Sequence, residues 1–243
     1  MLARFEASGE RDKLARLHAE HYLSSLRRAE VDWEIKPATE WLSLHRHLID
    51  NVRAALDWSF SPRGDITTGI ALTICAVPLW FELSLTSECA ERVDRALAAC
   101  GEQRNADREM RLYAARAWSL MQTRGFVVET EVAWSHVLEL SREQGNVDYQ
   151  LRALWGQWAA LLNRCELQAA LAVGKQFSEL AKTQTGTGDR FVGDRMVGYI
   201  LHLMGDQTQA RQYLERMLEG YETPVAGAQL VRFVFDQRAT AQC

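Results

Sequence analysis

Proline is scarce in this chain, with four prolines among 243 residues, at positions 37, 62, 78 and 224. Because proline interrupts the backbone hydrogen bonding of a helix, its scarcity leaves long stretches that can be helical without a break. Strict alternation of apolar and polar residues, the pattern of a half-buried strand, is also missing. Apolar residues recur instead every three to four positions, as in a first helix predicted from Glu10 to Ile35. The sequence therefore predicts an all-α protein.

A surplus of basic residues is absent too, since 28 Lys and Arg stand against 32 Asp and Glu. Nucleic-acid modules usually carry such a surplus, so direct DNA binding is not expected. The longest apolar run, Ile70 to Leu85, is broken by polar residues and falls short of the ~20 residues that span a bilayer. No basic-then-apolar leader opens the sequence, and five scattered cysteines suit a reducing compartment. We expect a soluble, cytoplasmic protein.

Motifs for catalysis and metal binding are also missing. Gly174-Lys175 is followed by glutamine, and alanine stands at position 169, so the phosphate-binding motif G-x-x-x-x-G-K-[ST] is not formed. No G-x-S-x-G nucleophile elbow occurs. His18 and His21 are three apart on a predicted helix but lack a third ligand nearby, and we interpret them as packing residues. We therefore expect no catalytic, cofactor-binding or metal-binding residues, and no enzyme activity.

What the sequence does contain is an alanine that recurs about every forty residues, at Ala90, Ala133, Ala170 and Ala210. Periods of this length are typical of stacked helical hairpins, in which each repeat buries its apolar face against its neighbours. A small residue at this position allows two helices to approach closely. The pattern predicts a right-handed α-α superhelix of tetratricopeptide-like hairpins, preceded by two longer helices.

The fourth repeat carries the clearest pattern. Val197-Gly198, Met204-Gly205-Asp206 and Ala210 resemble the tetratricopeptide repeat, with Gly198 at a helix contact and Gly205 in a tight turn. In the third repeat Cys165-Glu166 replaces the Gly-Asp pair. We predict a two-helix segment over residues 11–62, and over 63–243 about four repeats plus a truncated fifth, which begins with the apolar stretch 229–235.

Two stretches near the start resemble a known family. The sequences LARFEASGE (residues 2–10) and LHAEHYL (17–23) resemble a junction in bacterial STAND signalling ATPases, where a winged-helix segment gives way to helical repeats. The sequence LIDNVRAALDW (48–58) is similar to the helix that opens the repeat region of those proteins. The resemblance implies that residues 1–10 are a remnant of that junction. It also implies a multidomain predicted ATPase or a LuxR- or AfsR-like transcriptional regulator, with ATPase and DNA-binding modules in the same intact protein.

Six residues are candidates for binding a partner. Counted back from the recurring alanines, Trp118 and Trp155 take matching places in the first helices of the second and third repeats, and Arg195 is their equivalent in the fourth. That place commonly lines the concave face of tetratricopeptide-like folds, and aromatic residues and arginine dominate binding hot spots. Gln122, Tyr199 and His202 are expected to flank it. Alternatively, both tryptophans fill the core. For Trp155 the core is the favoured interpretation, because Trp158 lies beside it.

These observations predict a non-catalytic sensor or protein-interaction arm of a multidomain bacterial signalling protein. A protein or small-molecule effector would bind its concave face and shift the populations of an attached switch. The alternative is a free-standing scaffold that binds a peptide or helix of a partner protein through the same groove. Some self-association is expected, because a solenoid without a polar terminal repeat exposes apolar surface.

Overall fold

The computed structural model of this chain describes residues 10–101, 105–184, 188–220 and 232–233. Helices joined by short turns make up these ranges, and no strand occurs within them, so the predicted all-α class is confirmed. None of the helices in the described ranges has both the length and the apolar character needed to span a membrane. Apart from Glu10, the predicted junction lies outside the described residues. So does the predicted fifth repeat, apart from Arg232 and Phe233.

The chain divides into two compact units, with the boundary between Ser119 and Leu120. The helices of the first unit are α1 (Glu10–Trp33), α2 (Ala38–His45), α3 (Ile49–Ser59), α4 (Ile66–Glu82), α5 (Thr86–Ala99) and most of α6 (Ala106–Arg124). Helix α1 packs against α3 and α4, and α4 packs against α5. A 3-10 turn, Arg46–Leu48, divides the second of the two predicted longer helices into α2 and α3. The predicted division at residues 62 and 63 stays a prediction.

The second unit contains the end of α6 and a series of helices in which each packs against the next. They are α7 (Val128–Glu143), α8 (Val147–Asn163), α9 (Leu167–Ala181), α10 (Gly188–Leu203) and α11 (Gln207–Gly220). Helix α8 begins where the Asn146 side chain accepts a hydrogen bond from the backbone N–H of Tyr149, at 3.2 Å. The predicted role of Gly198 is confirmed, because a Cβ there would lie 2.9 Å from Leu214 of α11.

The repeat is marked by a residue with positive φ that separates the first helix of each hairpin from the second. These residues are Ser84 (57°), Gly125 (77°), Cys165 (59°) and Gly205 (88°). Their spacings, 125−84 = 41, 165−125 = 40 and 205−165 = 40, show a hairpin of about forty residues. A left-handed residue lets the chain reverse within one or two positions, which keeps the two helices of each hairpin antiparallel and in contact.

The position that the recurring alanine is predicted to mark lies five residues after each of these turns. It is occupied by residues with 0–2% exposure, Cys89, Thr130, Ala170 and Ala210. All four alanines lie in second helices, as predicted, but only Ala170 and Ala210 occupy this equivalent position; the assumed equivalence is wrong for Ala90 and Ala133. Ala90 is only half-buried, and Ala133 is a buried residue one helical turn further along α7. Because buried positions recur every three or four residues along a helix, an alanine in the sequence does not by itself define the register.

Candidate partner-binding site

In the first unit, the candidate Trp118 lies on α6 and contacts the preceding first helix. Its ring centroid lies 5.3 Å from that of Phe81 on α4, with the rings tilted by 38°. Trp118 is half-buried, so one side of the indole packs against the unit while the rest is accessible. Because the ring is already held on one side, a partner that covers its accessible side buries apolar area at a low cost in side-chain entropy.

In the second unit, three side chains connect the first helices α8 and α10. The Arg195 guanidinium lies 5.0 Å from the centroid of the Trp158 ring, and the Tyr199 ring lies 6.4 Å from the same ring at 61°. We call Trp158, Arg195 and Tyr199 the α8–α10 bridge. Trp158 and Arg195 are 3% and 5% exposed, whereas Tyr199 is half-buried. A cation over an indole face in a desolvated place is a favourable contact, and it fixes the orientation of both side chains.

The predicted equivalence of Trp118 with Trp155 and Arg195 is wrong. Counted from the buried position of each second helix, Trp118 lies twelve residues before Thr130. Trp158 likewise lies twelve residues before Ala170, the buried position of the third repeat. Trp118 and Trp158 are therefore the equivalent pair. A count from Ala133 starts three residues too late along α7, and it carries that shift into the first helix. Trp155 and Arg195 remain equivalent to each other, because Ala170 and Ala210 are in register.

The remaining flanking candidates are exposed. Gln122 lies in the last turns of α6, and His202 lies at the end of α10. The His202 ring nitrogen Nδ1 is 2.8 Å from Oε1 of Gln207, and the Gln207 amide donates to the His202 carbonyl oxygen at 3.1 Å. His202 is therefore held in place at the turn between α10 and α11. The role of all six candidates in partner binding stays a prediction.

Trp155 is 2% exposed and packs against Phe233. The Phe233 ring centroid is 6.4 Å from that of Trp155 and 5.7 Å from that of Phe177 on α9. Phe233 itself is 5% exposed. The interpretation of Trp155 as a packed residue fits this arrangement, and a partner that is to touch Trp155 must first replace Phe233.

Next to Phe233, Arg232 binds two carboxylates that the sequence reasoning missed. Its guanidinium donates to both carboxylate oxygens of Asp189, at 2.8 and 3.2 Å, and forms an ion pair with Asp148. Asp148 and Asp189 lie in the first turns of α8 and α10. Acidic residues are common there because they offset the helix dipole, so neither attracts notice in the sequence. The sequence indicates this contact only through Arg232, which is the single charged residue in the apolar stretch 229–235 and therefore needs a partner there.

Ion pairs and buried thiols are two causes of pKa shifts in the first unit. Arg53 donates to both carboxylate oxygens of Glu88, at 2.9 and 2.6 Å, and holds the pKa of that carboxyl below its ordinary value. Burial raises the pKa of the Cys75 thiol to about 11 and that of Cys89 to about 12. Within the described ranges, no group of three His, Cys, Asp or Glu residues is arranged to hold a metal ion. The Arg53–Glu88 ion pair links α3 to α5.

No family model and no curated protein matches the chain. Solved structures do resemble it. BtubC (BKLC) from P. vanneervenii has a TM-score of 0.67 at 15% identity, over 92% of this chain and 94% of that one. A Podosopora anserina kinesin light chain with nearly identical TPR-like repeats has a TM-score of 0.64 at 10% identity, over 82% of this chain and 94% of that one. At such identities the likeness shows the fold alone, a tetratricopeptide-like array of helical hairpins.

Proposed function

We propose that this chain is the non-catalytic sensor or protein-interaction arm of a multidomain bacterial signalling ATPase or transcriptional regulator, located in the cytoplasm. Its partner, a protein or small-molecule effector, binds the face formed by the first helices α8 and α10 of the second unit. The α8–α10 bridge carries this proposal. It joins two consecutive first helices through Trp158 and Arg195 and leaves Tyr199 partly exposed beside them.

The physical argument is one of preorganisation. Tyr199 packs against the buried Trp158–Arg195 pair, and the His202 ring lies 2.8 Å from Gln207, whose amide donates to the His202 carbonyl oxygen. A partner that uses these side chains therefore loses little conformational entropy on binding. If it binds two states of an attached switch unequally, it shifts their equilibrium by that difference in affinity.

The second candidate function is a free-standing tetratricopeptide-like scaffold that binds a peptide or helix of a partner protein, without an attached ATPase. Helical-hairpin arrays present grooves that fit such ligands, so the fold supports this function equally well. The resemblance of residues 2–10, 17–23 and 48–58 to the STAND junction and repeat-opening helix favours the signalling arm. A continuous reading frame that encodes a P-loop upstream supports the arm, whereas a separate gene for this chain supports the scaffold.

Site-specific photo-crosslinking tests the binding face. A photoreactive amino acid at position 202 is expected to give adducts in source cells, whereas the same group at position 211 on α11 is not. Arg211 is a matched control, because it is also exposed and its replacement removes only a surface i,i+4 pair with Glu215. If Tyr199→Ala reduces the yield of adducts from position 202 at least tenfold and leaves the helicity unchanged, the proposal is supported. Equal adducts from both positions contradict it.

A further inference from the structure

The two described residues of the C-terminal region, Arg232 and Phe233, occupy a pocket made by three helices. Asp148 and Trp155 come from α8, Phe177 from α9 and Asp189 from α10. We call these four residues the tail pocket. Arg232 follows Asp189 by 43 residues, so the contact is one between distant parts of the chain.

The pocket has an acidic half, which binds Arg232, and an apolar half, which binds Phe233. Its acidic half consists of Asp148 and Asp189, which bind one guanidinium from two sides. A planar guanidinium suits this arrangement, because it donates two parallel hydrogen bonds to one carboxylate and still offers a third N–H to another. Lysine, a single point charge, cannot reproduce that geometry.

The apolar half of the pocket consists of Trp155 and Phe177. The ring of Phe233 meets Phe177 at 69° and 5.7 Å, an edge-to-face contact, and meets Trp155 at 47° and 6.4 Å. Both distances lie in the range where aromatic rings attract one another beyond simple burial. With Phe233 removed, two large rings that are 2% and 0% exposed become accessible beside two carboxylates. Desolvated aromatic rings next to charge are the usual composition of a binding hot spot.

We propose that the tail pocket recognises an arginine followed by an aromatic residue. In this chain Arg232–Phe233 acts as an internal ligand, and a partner protein displaces it by presenting an Arg-aromatic pair of its own. The proposal rests on the proposed function, since it names the chemistry of one partner segment. It also explains how Trp155 can serve binding although it is buried in the chain as it stands.

Because the internal ligand belongs to the same chain, it competes at a high effective concentration. A free peptide with the same residues must therefore bind the intact chain much more weakly than a chain whose internal pair is disabled. A structural element that merely fills the core produces no such difference, because the vacated site then collapses or the unit unfolds.

The test uses the full-length chain and a fluorescent peptide that covers residues 227–238, with binding measured by anisotropy. The chain with Arg232→Glu and Phe233→Ala is expected to bind the peptide at least tenfold more tightly than the unaltered chain. A peptide with the same two substitutions is the matched control and is expected to bind neither chain. Quenching of tryptophan fluorescence on binding, lost in Trp155→Phe, reports on the pocket itself.

Charge reversal in the pocket makes the test specific. In the chain with the disabled tail, Asp148→Arg with Asp189→Arg is expected to abolish binding of the Arg-Phe peptide and to admit a Glu-Phe peptide. If the disabled chain loses its helical circular dichroism, the same titration is made with Arg232→Lys and Phe233→Leu. That variant weakens both halves of the contact and keeps an apolar side chain in place, and a three- to tenfold gain in peptide affinity is expected.

Less than a twofold difference in peptide affinity between the unaltered chain and both tail variants overturns the proposal. So does tight binding of the control peptide. If two copies exchange their tails, the unaltered chain admits more peptide as it is diluted, and this outcome overturns the internal assignment. The crosslinking test at position 202 is independent of these results. If the peptide test fails while position 202 still gives adducts, the tail pocket does not recognise an Arg-aromatic pair. The proposed function is then still supported.

Discussion

Cys165 holds, in the turn between α8 and α9, the left-handed backbone conformation that Gly205 holds between α10 and α11, with φ of 59° and 88°. A side chain on Cβ makes this conformation unfavourable by roughly 1–2 kcal/mol, a cost that glycine avoids. The third repeat is therefore strained at a point where the fourth is not.

Replacing Cys165 by glycine is expected to stabilise the protein. The relief of strain exceeds the greater chain entropy of glycine in the unfolded state, so we expect a gain of about 0.5–1 kcal/mol in the free energy of unfolding. Urea unfolding followed by circular dichroism measures this. Cys165→Ala is the control and is expected to give no gain, because alanine keeps the Cβ. Equal stabilisation by both substitutions would contradict the role of φ.

Two buried helical glycines are expected to respond in opposite ways to alanine. A Cβ on Gly156 of α8 would lie 2.4 Å from the indole of Trp134 on α7, whereas one on Gly174 of α9 would lie 3.5 Å from its nearest neighbour, Val197. Gly156→Ala forces α7 and α8 apart, and we expect it to cost about 1–3 kcal/mol. Gly174→Ala gains helix propensity without a clash and is expected to be neutral or to stabilise by up to ~1 kcal/mol.

The two substitutions are measured side by side by urea unfolding, and each serves as the control for the other. Similar losses for both would mean that neither helix contact is as close as the structure has it. A neutral Gly156→Ala would have the same meaning for α7 and α8 alone.

Asp65 caps α4, and we expect it to make the free energy of unfolding of the first unit depend on pH in the acid range. Its carboxylate accepts from the Thr68 hydroxyl at 2.8 Å and the Thr67 N–H at 3.0 Å, and these hydrogen bonds lower the pKa of Asp65. The folded state therefore binds the proton less readily than the unfolded state. The stabilisation is present above the ordinary pKa near 3.8 and is lost as the pH falls through and below it.

We expect Asp65→Ala to cost about 1 kcal/mol at neutral pH and to flatten the dependence of stability on pH between 5 and 3. Asp65→Asn separates the two effects, because the amide oxygen still caps the helix but does not titrate. It should lose a few tenths of a kcal/mol at most and show the same flattening. An unchanged pH profile in Asp65→Ala would rule out the cap as its source.

Thiol reactivity should separate the buried cysteines from the exposed one. Burial raises the pKa of Cys75 and Cys89 to about 11 and about 12, so the reactive thiolate is scarce in both until the protein unfolds. Cys165 is exposed. In a chain with Cys100→Ser and Cys243→Ser, we expect one equivalent of thiol to react with a disulfide reagent at pH 8 at least a hundred times faster than the other two.

The same shifts predict a loss of stability in alkali. A thiol whose pKa is raised in the folded state stabilises that state fully below its ordinary pKa near 9, and this contribution falls as the pH rises towards 11 or 12. Unfolding free energies measured between pH 8 and 10.5 should therefore decline less steeply in Cys89→Ala than in the unaltered chain. Parallel curves would contradict the burial of Cys89.

The helical class and the repeat length could be predicted from the sequence, because a period of three to four residues and a spacing near forty are local patterns. The register could not. Ala90 and Ala133 look like equivalents of Ala170 in the sequence, whereas the equivalent buried positions hold Cys89 and Thr130. The turn residues are the better guide, since Gly125 and Gly205 are both glycines. Ser84 and Cys165 take the same conformation without being glycine, so the series could not be seen before φ was known.

The candidate site shows the same limit in another form. The sequence indicates Trp158 only as a core neighbour of Trp155, yet it is the residue that Arg195 covers. The ion pairs of Arg232 with Asp148 and Asp189 join residues 43 or more positions apart. Contacts of that range depend on how the hairpins pack, and no local pattern in the sequence encodes them.

The left-handed turn residues also bear on how a gene for such a protein can change. A segment that runs from just after one turn residue to the next, such as 166–205, contains one second helix and the following first helix and interrupts neither. Its duplication or loss would join exposed turns of the same conformation and leave every helix whole, while bringing α11 next to α8 after a loss or a second α9 after α10 in a duplication. A change in the number of hairpins can therefore keep the turns and helices as they are, and the side chains of only one new helix pair must adapt to each other.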